Sequence, residues 1–220
     1  MPTLKAILFD FDGVIIDSET PEYQIWQSTL ARFGVRLPLH EWARGVGSSI
    51  EAFDPLTYLE EKIGHAVDRQ ALLQEHKTKL MKALQDQPPL PGVQETILNA
   101  CRLGLRLAIA SSSSKTWVTS HLEKLGFISC FHAICTREDV PEVKPAPHLY
   151  NLALYRLGVH ASEAIVIEDS PNGILAAKQA GIFCIAVPNP VSSQLDISGA
   201  NLILPSLEHL DLSRFQLPDE

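Results

Sequence analysis

Long apolar runs are missing from this chain; none approaches the roughly 20 residues that a membrane-spanning helix needs. The N-terminus lacks the apolar core of a secretory signal, because Asp10 interrupts the first apolar run. Cysteine is scarce: Cys101, Cys130, Cys135 and Cys184 are the only four, and none forms a C-x-x-C pair. Cys101, Cys135 and Cys184 lie in or beside apolar stretches, so they are expected to be reduced core thiols in a cytoplasmic protein. Positive charge is in deficit, with 18 Lys and Arg against 26 Asp and Glu. The net charge of −8 argues against nucleic acid or an anionic membrane as the main partner. A small anionic substrate would then need local positive charge, from a metal or from placed Lys and Arg. Internal repeats, low-complexity tracts and long charge runs are absent too. What remains is a 220-residue chain, 45% hydrophobic, which suffices for a full core without disulfides.

The most informative stretch is Phe9-Asp10-Phe11-Asp12-Gly13. Ile7, Leu8 and Phe9 predict a buried strand that ends at Gly13. Side chains alternate along a strand, so Asp10 and Asp12 can face one side. Two close carboxylates repel unless one is protonated or a cation sits between them. Asp-Gly after an apolar run is also an ordinary turn signal, so this stretch alone decides little.

The pattern then turns helical. Tyr23, Trp26, Leu30 and Phe33 follow at helical spacing, with Pro21 early and Gly34 as the stop. A short helix is expected over Glu41–Arg44, another over Pro55–Ile63, and a longer one capped by Asp68. No strand signal interrupts this region, and Pro88, Pro89 and Pro91 close it. Helices and strands then alternate. Helices are expected over Val93–Leu103, from Ser114 to Gly126, over Ala146–Leu157 and over Pro171–Ala180. Strands are expected over Leu105–Ala110, Ala133–Cys135, Ala164–Ile167 and Ile182–Val187, with an edge strand over Leu202–Leu204. That rhythm predicts an α/β fold with a Rossmann-like parallel sheet. The expected domains are a core of residues 1–14 and 88–220 and an inserted helical cap of 15–87. An insert leaving after the first strand lies over the sheet edge where ligands bind, as a lid would.

Three further features sit at strand ends or in loops. Ser111 to Ser114 follow a strand and open a helix, where hydroxyls and N–H groups suit a phosphate, or simply a helix cap. Lys144 stands between rigid backbone positions in Val143-Lys144-Pro145-Ala146-Pro147. Glu168 and Asp169 follow another apolar strand, and either Asp169 or Ser170 can cap the next helix. A parallel sheet brings all of these to one edge, with oxygen ligands for a hard cation such as Mg²⁺ beside hydroxyl and ammonium donors.

The order Asp10-x-Asp12-Gly13, Ser111, Lys144-Pro145, Glu168-Asp169 resembles the haloacid dehalogenase (HAD) superfamily. The helical insert is similar to that superfamily's C1 cap. Asp17-Ser18-Glu19 and Gly173 resemble the subfamily of phosphoglycolate phosphatase and β-phosphoglucomutase. The resemblance implies a Mg²⁺-dependent phosphatase acting on a small phosphorylated metabolite, with a sugar phosphate as the default. It implies Asp10 as nucleophile, through an aspartyl-phosphate, and Asp12 as acid/base. Mg²⁺ would bind the Asp10 and Asp169 carboxylates and the Asp12 carbonyl, with Glu168 reached through water. Ser111, the Ser112 N–H and Lys144 would hold the phosphoryl oxygens.

Glu19, Glu22, Trp26, Gly47 and Ser48 are the cap candidates for choosing the leaving group. Tyr23 and Trp26 at helical spacing are more often core than contact. A monomer is expected. The runner-up is a β-phosphoglucomutase-type phosphotransferase. Glu22 stands where that enzyme type has a His, and Gly47-Ser48-Ser49 where it has an Arg, although Arg44 is near. From another class, a receiver-like signalling module would also carry acids, a Ser and a Lys on parallel strand ends. Asp12, the insert and the chain length speak against it. Asp12 and Asp169 also disfavour a dehalogenase.

Overall fold

A computed structural model describes residues 3–42 and 53–213. The Arg44, Gly47 and Ser48 expectations therefore lie outside the described residues. The elements in chain order are β1 (Ala6–Phe9), α1 (Glu19–Ala31), α2 (Leu39–Trp42), α3 (Pro55–Ile63), α4 (Arg69–Leu84), α5 (Val93–Arg102) and β2 (Arg106–Ala110). They continue with α6 (Lys115–Lys124), β3 (Ala133–Cys135), α7 (His148–Leu157), β4 (Ala164–Glu168), α8 (Pro171–Gln179), β5 (Phe183–Ala186) and β6 (Leu202–Ile203).

The strands form one parallel sheet in the order β3-β2-β1-β4-β5-β6. Alternation along β1 explains its full burial. Ile7 and Phe9 face a core with Val93 and Ile97 of α5 and Val118 and Leu122 of α6. Ala6 and Leu8 face a second core with Leu149, Tyr150 and Ala153 of α7 and Ile174 and Ala177 of α8. A sheet covered on both faces needs continuous apolar strands, and β1 and β4 are buried throughout. Phe9 pairs with Ile109 on one side and Ile167 on the other. The chain order departs from β1 in both directions, so the crevice for a ligand opens beyond Phe9.

Helices α1 to α4 form the helical region between β1 and α5. They hold a small core of their own: Trp26, Leu30, Leu37, Leu56, Leu59 and Leu72. The chain leaves and re-enters the α/β core side by side, where the Leu90 N–H donates to the Ile15 carbonyl at 2.9 Å.

Three expectations shift. The short helix starts at Leu39 rather than Glu41 and is described as far as Trp42. Helix α7 starts at His148 rather than Ala146, because a residue before proline is disfavoured in helix and Pro147 follows Ala146. Cys101 is exposed rather than core, since α5 turns Ile97 and Ala100 inward instead. Among the described residues no helix is long and apolar enough to cross a membrane.

Candidate active site

The site begins where β1 ends. The Asp10 N–H donates to the Ile167 carbonyl at 2.9 Å, which extends the pairing with β4 by one residue. The Asp10 carboxylate accepts from Lys144 Nζ at 2.6 Å, and the same ammonium donates to Glu168 Oε1 at 2.7 Å. All three groups are buried. Burial works against the ammonium of Lys144, but the charges of Asp10 and Glu168 outweigh it and hold the lysine above its ordinary pKa. Burial also lifts Asp10 to about 7; Lys144 opposes this, while Glu168 and Asp12 add to it.

Glu168 is fully occupied by its neighbours. Its Oε1 also accepts from the Tyr150 hydroxyl at 2.6 Å. Its Oε2 accepts from the N–H groups of Asp169 and Ser170 and from the Ser170 hydroxyl, at 3.0, 3.2 and 3.1 Å. Ser170 Oγ in turn accepts from the Gly173 N–H, capping α8. Gly173 is required by space, since a Cβ there would lie 1.7 Å from Glu168 Oε1.

Asp169 contrasts with Glu168. Its Oδ2 accepts from Asn189 Nδ2 at 2.8 Å, while its Oδ1 is buried without a hydrogen-bond partner. Burial raises its pKa well above the usual value, and the charges of Glu19, Glu168 and Asp10 raise it further. Oxygens of Asp10, Glu168 and Asp169 lie within 4.8 Å of one another. Three buried acids with one lysine leave a negative charge that a divalent cation would neutralise, and the orphaned Asp169 Oδ1 is a ready ligand atom.

Asp12 sits beside this cluster, on a turn that Gly13 closes with φ 79°. Its Oδ1 accepts from the Ser18 hydroxyl at 2.8 Å and from the Trp117 indole N–H at 3.0 Å. Its Oδ2 accepts from the Ser113 hydroxyl at 2.5 Å. Ser111, at the end of β2, is buried, and its Oγ accepts from the Ser113 N–H at 3.0 Å. The Ser112 hydroxyl is buried without a partner.

On the cap side, Glu19 Oε2 accepts from Asn189 Nδ2 at 3.1 Å. Burial pushes Glu19 up to about 8, against the Asn189 hydrogen bond and with the charges of Asp12 and Asp10. Glu22 is pushed up to about 7 by burial and by Asp12. His76 Nε2 lies 3.9 Å from Glu22 Oε1, and burial lowers this histidine to about 4. Trp26 belongs to the interior of the cap, its ring stacked on His76 at 4.2 Å and 16°.

The sheet edge thus gathers Asp10, Asp12, Ser111, Ser112, Lys144, Glu168 and Asp169, with Glu19 and Glu22 beside them. Trp26 packs away from them. Sequence reasoning missed Asn189, Tyr150 and Trp117, and it named Ser113 and Ser18 without their contacts to Asp12. For Asn189 a signal existed, because Val187-Pro188-Asn189-Pro190 follows β5 at the same edge as the motifs that were read.

The haloacid dehalogenase-like hydrolase family matches residues 7–187. The chain is 41% identical over 211 residues to YhcW of Bacillus subtilis (strain 168), covering 96% of this chain and 95% of that one. It is 30% identical over 207 residues to the validoxylamine A 7'-phosphate phosphatase of Streptomyces hygroscopicus subsp. limoneus, covering 92% and 94%. The crystal structure of CbbY from Rhodobacter sphaeroides in complex with xylulose-(1,5)bisphosphate superposes with a TM-score of 0.72 at 26% identity, covering 94% of this chain and 96% of that one. The chain belongs to the haloacid dehalogenase-like hydrolases. Within them it falls in the phosphatase class, with an acidic site suited to a metal.

Proposed function

We propose that this protein is a Mg²⁺-dependent phosphatase that hydrolyses small phosphorylated metabolites, sugar phosphates foremost, through an aspartyl-phosphate on Asp10. The observation that carries the reading is the buried Lys144 ammonium held against Asp10 and Glu168, beside an Asp169 oxygen with no partner. Mg²⁺ would be held by the carboxylates of Asp10 and Asp169 and the carbonyl of Asp12, and would supply the positive charge that lets a phosphate dianion approach a carboxylate.

In the first step an Asp10 carboxylate oxygen attacks phosphorus and the ester P–O bond breaks. The leaving alkoxide takes a proton from Asp12. In the second step a water gives a proton to Asp12 while its oxygen attacks phosphorus, and the bond to Asp10 breaks. Lys144, Ser111 and the Ser112 N–H hold the three transferring oxygens as charge builds on them. Glu168 is assigned to Lys144: with both its oxygens taken by donors, it orients the ammonium.

The core is proposed to comprise residues 1–14 and 88–220, and the cap residues 15–87, with Glu19 and Glu22 reading the leaving group. A mutase would need a cation for a second phosphate. The described residues that α1 turns toward Asp12 are acids, which favours water as acceptor. The test is phosphate release over a panel of phosphorylated metabolites, with Mg²⁺ and with a chelator. Turnover of at least one sugar phosphate, abolished by the chelator, is expected. Conversion of β-glucose 1-phosphate to glucose 6-phosphate without phosphate release would overturn the phosphatase reading.

A further inference from the structure

Asn189 is 5% exposed, and every polar atom of its side chain is committed. Its Oδ1 accepts from the N–H groups of Val191 and Ser192, both at 2.9 Å. Those backbone donors fix which way the amide points, because a flipped amide would set its NH₂ against two N–H groups. Its Nδ2 therefore presents two hydrogens, one to Asp169 Oδ2 at 2.8 Å and one to Glu19 Oε2 at 3.1 Å. Asp169 belongs to the core, and Glu19 is the first residue of the first cap helix. The fold keeps space for the contact: a Cβ at Gly13 would lie 2.3 Å from Asp169 Oδ2 and 2.7 Å from Asn189 Nδ2.

We propose that Asn189 is a positioning residue that ties the metal-binding carboxylate of Asp169 to Glu19 at the root of the cap, so that cation affinity and cap placement are coupled through one amide. The proposal rests on the reading of Asp169 as a metal ligand. Capping Oδ2 fixes the carboxylate rotamer and leaves Oδ1 as the free donor. Partners of this kind orient a ligand without touching the ion, and their loss typically costs about 10–100-fold in metal affinity or activity. The tether to Glu19 holds the other hydrogen of the same NH₂, so releasing one carboxylate loosens the amide against the other.

Mg²⁺ binding to the full-length protein is measured by calorimetry for the wild type, N189A, E19A, E19Q, the N189A/E19A double variant and D169N, with a thermal melt of each to verify folding. N189A is expected to weaken Mg²⁺ binding by about 10-fold or more. E19A weakens it less, and E19Q, whose amide oxygen still accepts from Asn189, stays near the wild type. In the N189A background, E19A adds nothing, the sign of a shared contact. In turnover assays N189A raises the Mg²⁺ concentration for half-maximal rate far more than it lowers kcat at saturating Mg²⁺. Unchanged Mg²⁺ affinity in folded N189A overturns the proposal. Should N189A fail to fold, E19A and E19Q still decide it, because equal losses in both mean that charge acts through space and no tether exists. If D169N binds Mg²⁺ like the wild type, the metal reading itself falls, and the proposal with it.

Discussion

Two ion pairs set the sheet edge against the cap. At the sheet edge the Lys144 side chain is 3% exposed between Asp10 and Glu168, at 11% and 0%. On the cap, Arg32, just past the end of α1, makes a two-pronged pair with Glu75 of α4, both at 2.8 Å, with exposures of 46% and 33%. The cap pair lies in solvent and adds little to what the Trp26–His76 stack already holds together. The sheet-edge charges have no water to fall back on, so each depends on the others, and removing one leaves the rest stranded. The fold therefore concentrates its electrostatic cost where the chemistry is proposed to occur.

The largest expected effect is that of D10N, which should remain folded by circular dichroism and lose turnover by about 10⁴-fold or more, as removal of an activated nucleophile does. Next is K144A. It leaves two buried carboxylates unpaired and should lower stability by about 3–5 kcal/mol in urea unfolding, with loss of turnover. R32A should leave both nearly unchanged. Equal losses in K144A and R32A would erase the contrast. W26A removes a buried ring and should cost about 3–5 kcal/mol, felt in the cap. Hydrogen exchange should rise in α1 and α4 and stay unchanged in β1 and β4.

The smallest effect is a pH dependence. Burial, opposed by Lys144, lifts Asp10 from 3.8 to about 7 in the folded protein. Between those values the folded chain keeps a proton that the unfolded chain has released, so the metal-free protein loses stability as pH rises through that window. Mg²⁺ should offset the loss, and the gain in Tm on adding it should be larger at pH 8 than at pH 5.

How much of this was legible in the sequence also divides along the sheet edge. Asp10, Lys144, Glu168 and Asp169 stand at or just past the end of an apolar strand or between prolines, so local pattern and a parallel-sheet rule were enough to bring them together. The fold class and most element bounds follow from the same punctuation by glycine and proline. Trp117 and Tyr150 were not legible, because a helical aromatic directed at a carboxylate and one directed at a core have the same spacing. Asn189 was not singled out, because its contacts depend on where Asp169 and Glu19 arrive in space. The contacts of Glu168 were hidden for a similar reason, since only the packing reveals that its oxygens accept from Lys144, Tyr150 and the start of α8.

The central claim is that the carboxylate of Asp10 accepts phosphorus. The most direct measurement uses a D12A variant, which lacks the group assigned to activate water, mixed with Mg²⁺ and an aryl phosphate whose leaving group needs no acid. After acid quenching, mass spectrometry should find one phosphoryl group on the peptide that carries Asp10, and borohydride should reduce that residue to homoserine. A wild-type enzyme that turns over the same ester, with no phosphoryl group on that peptide in D12A or wild type at any quench time, would contradict the account.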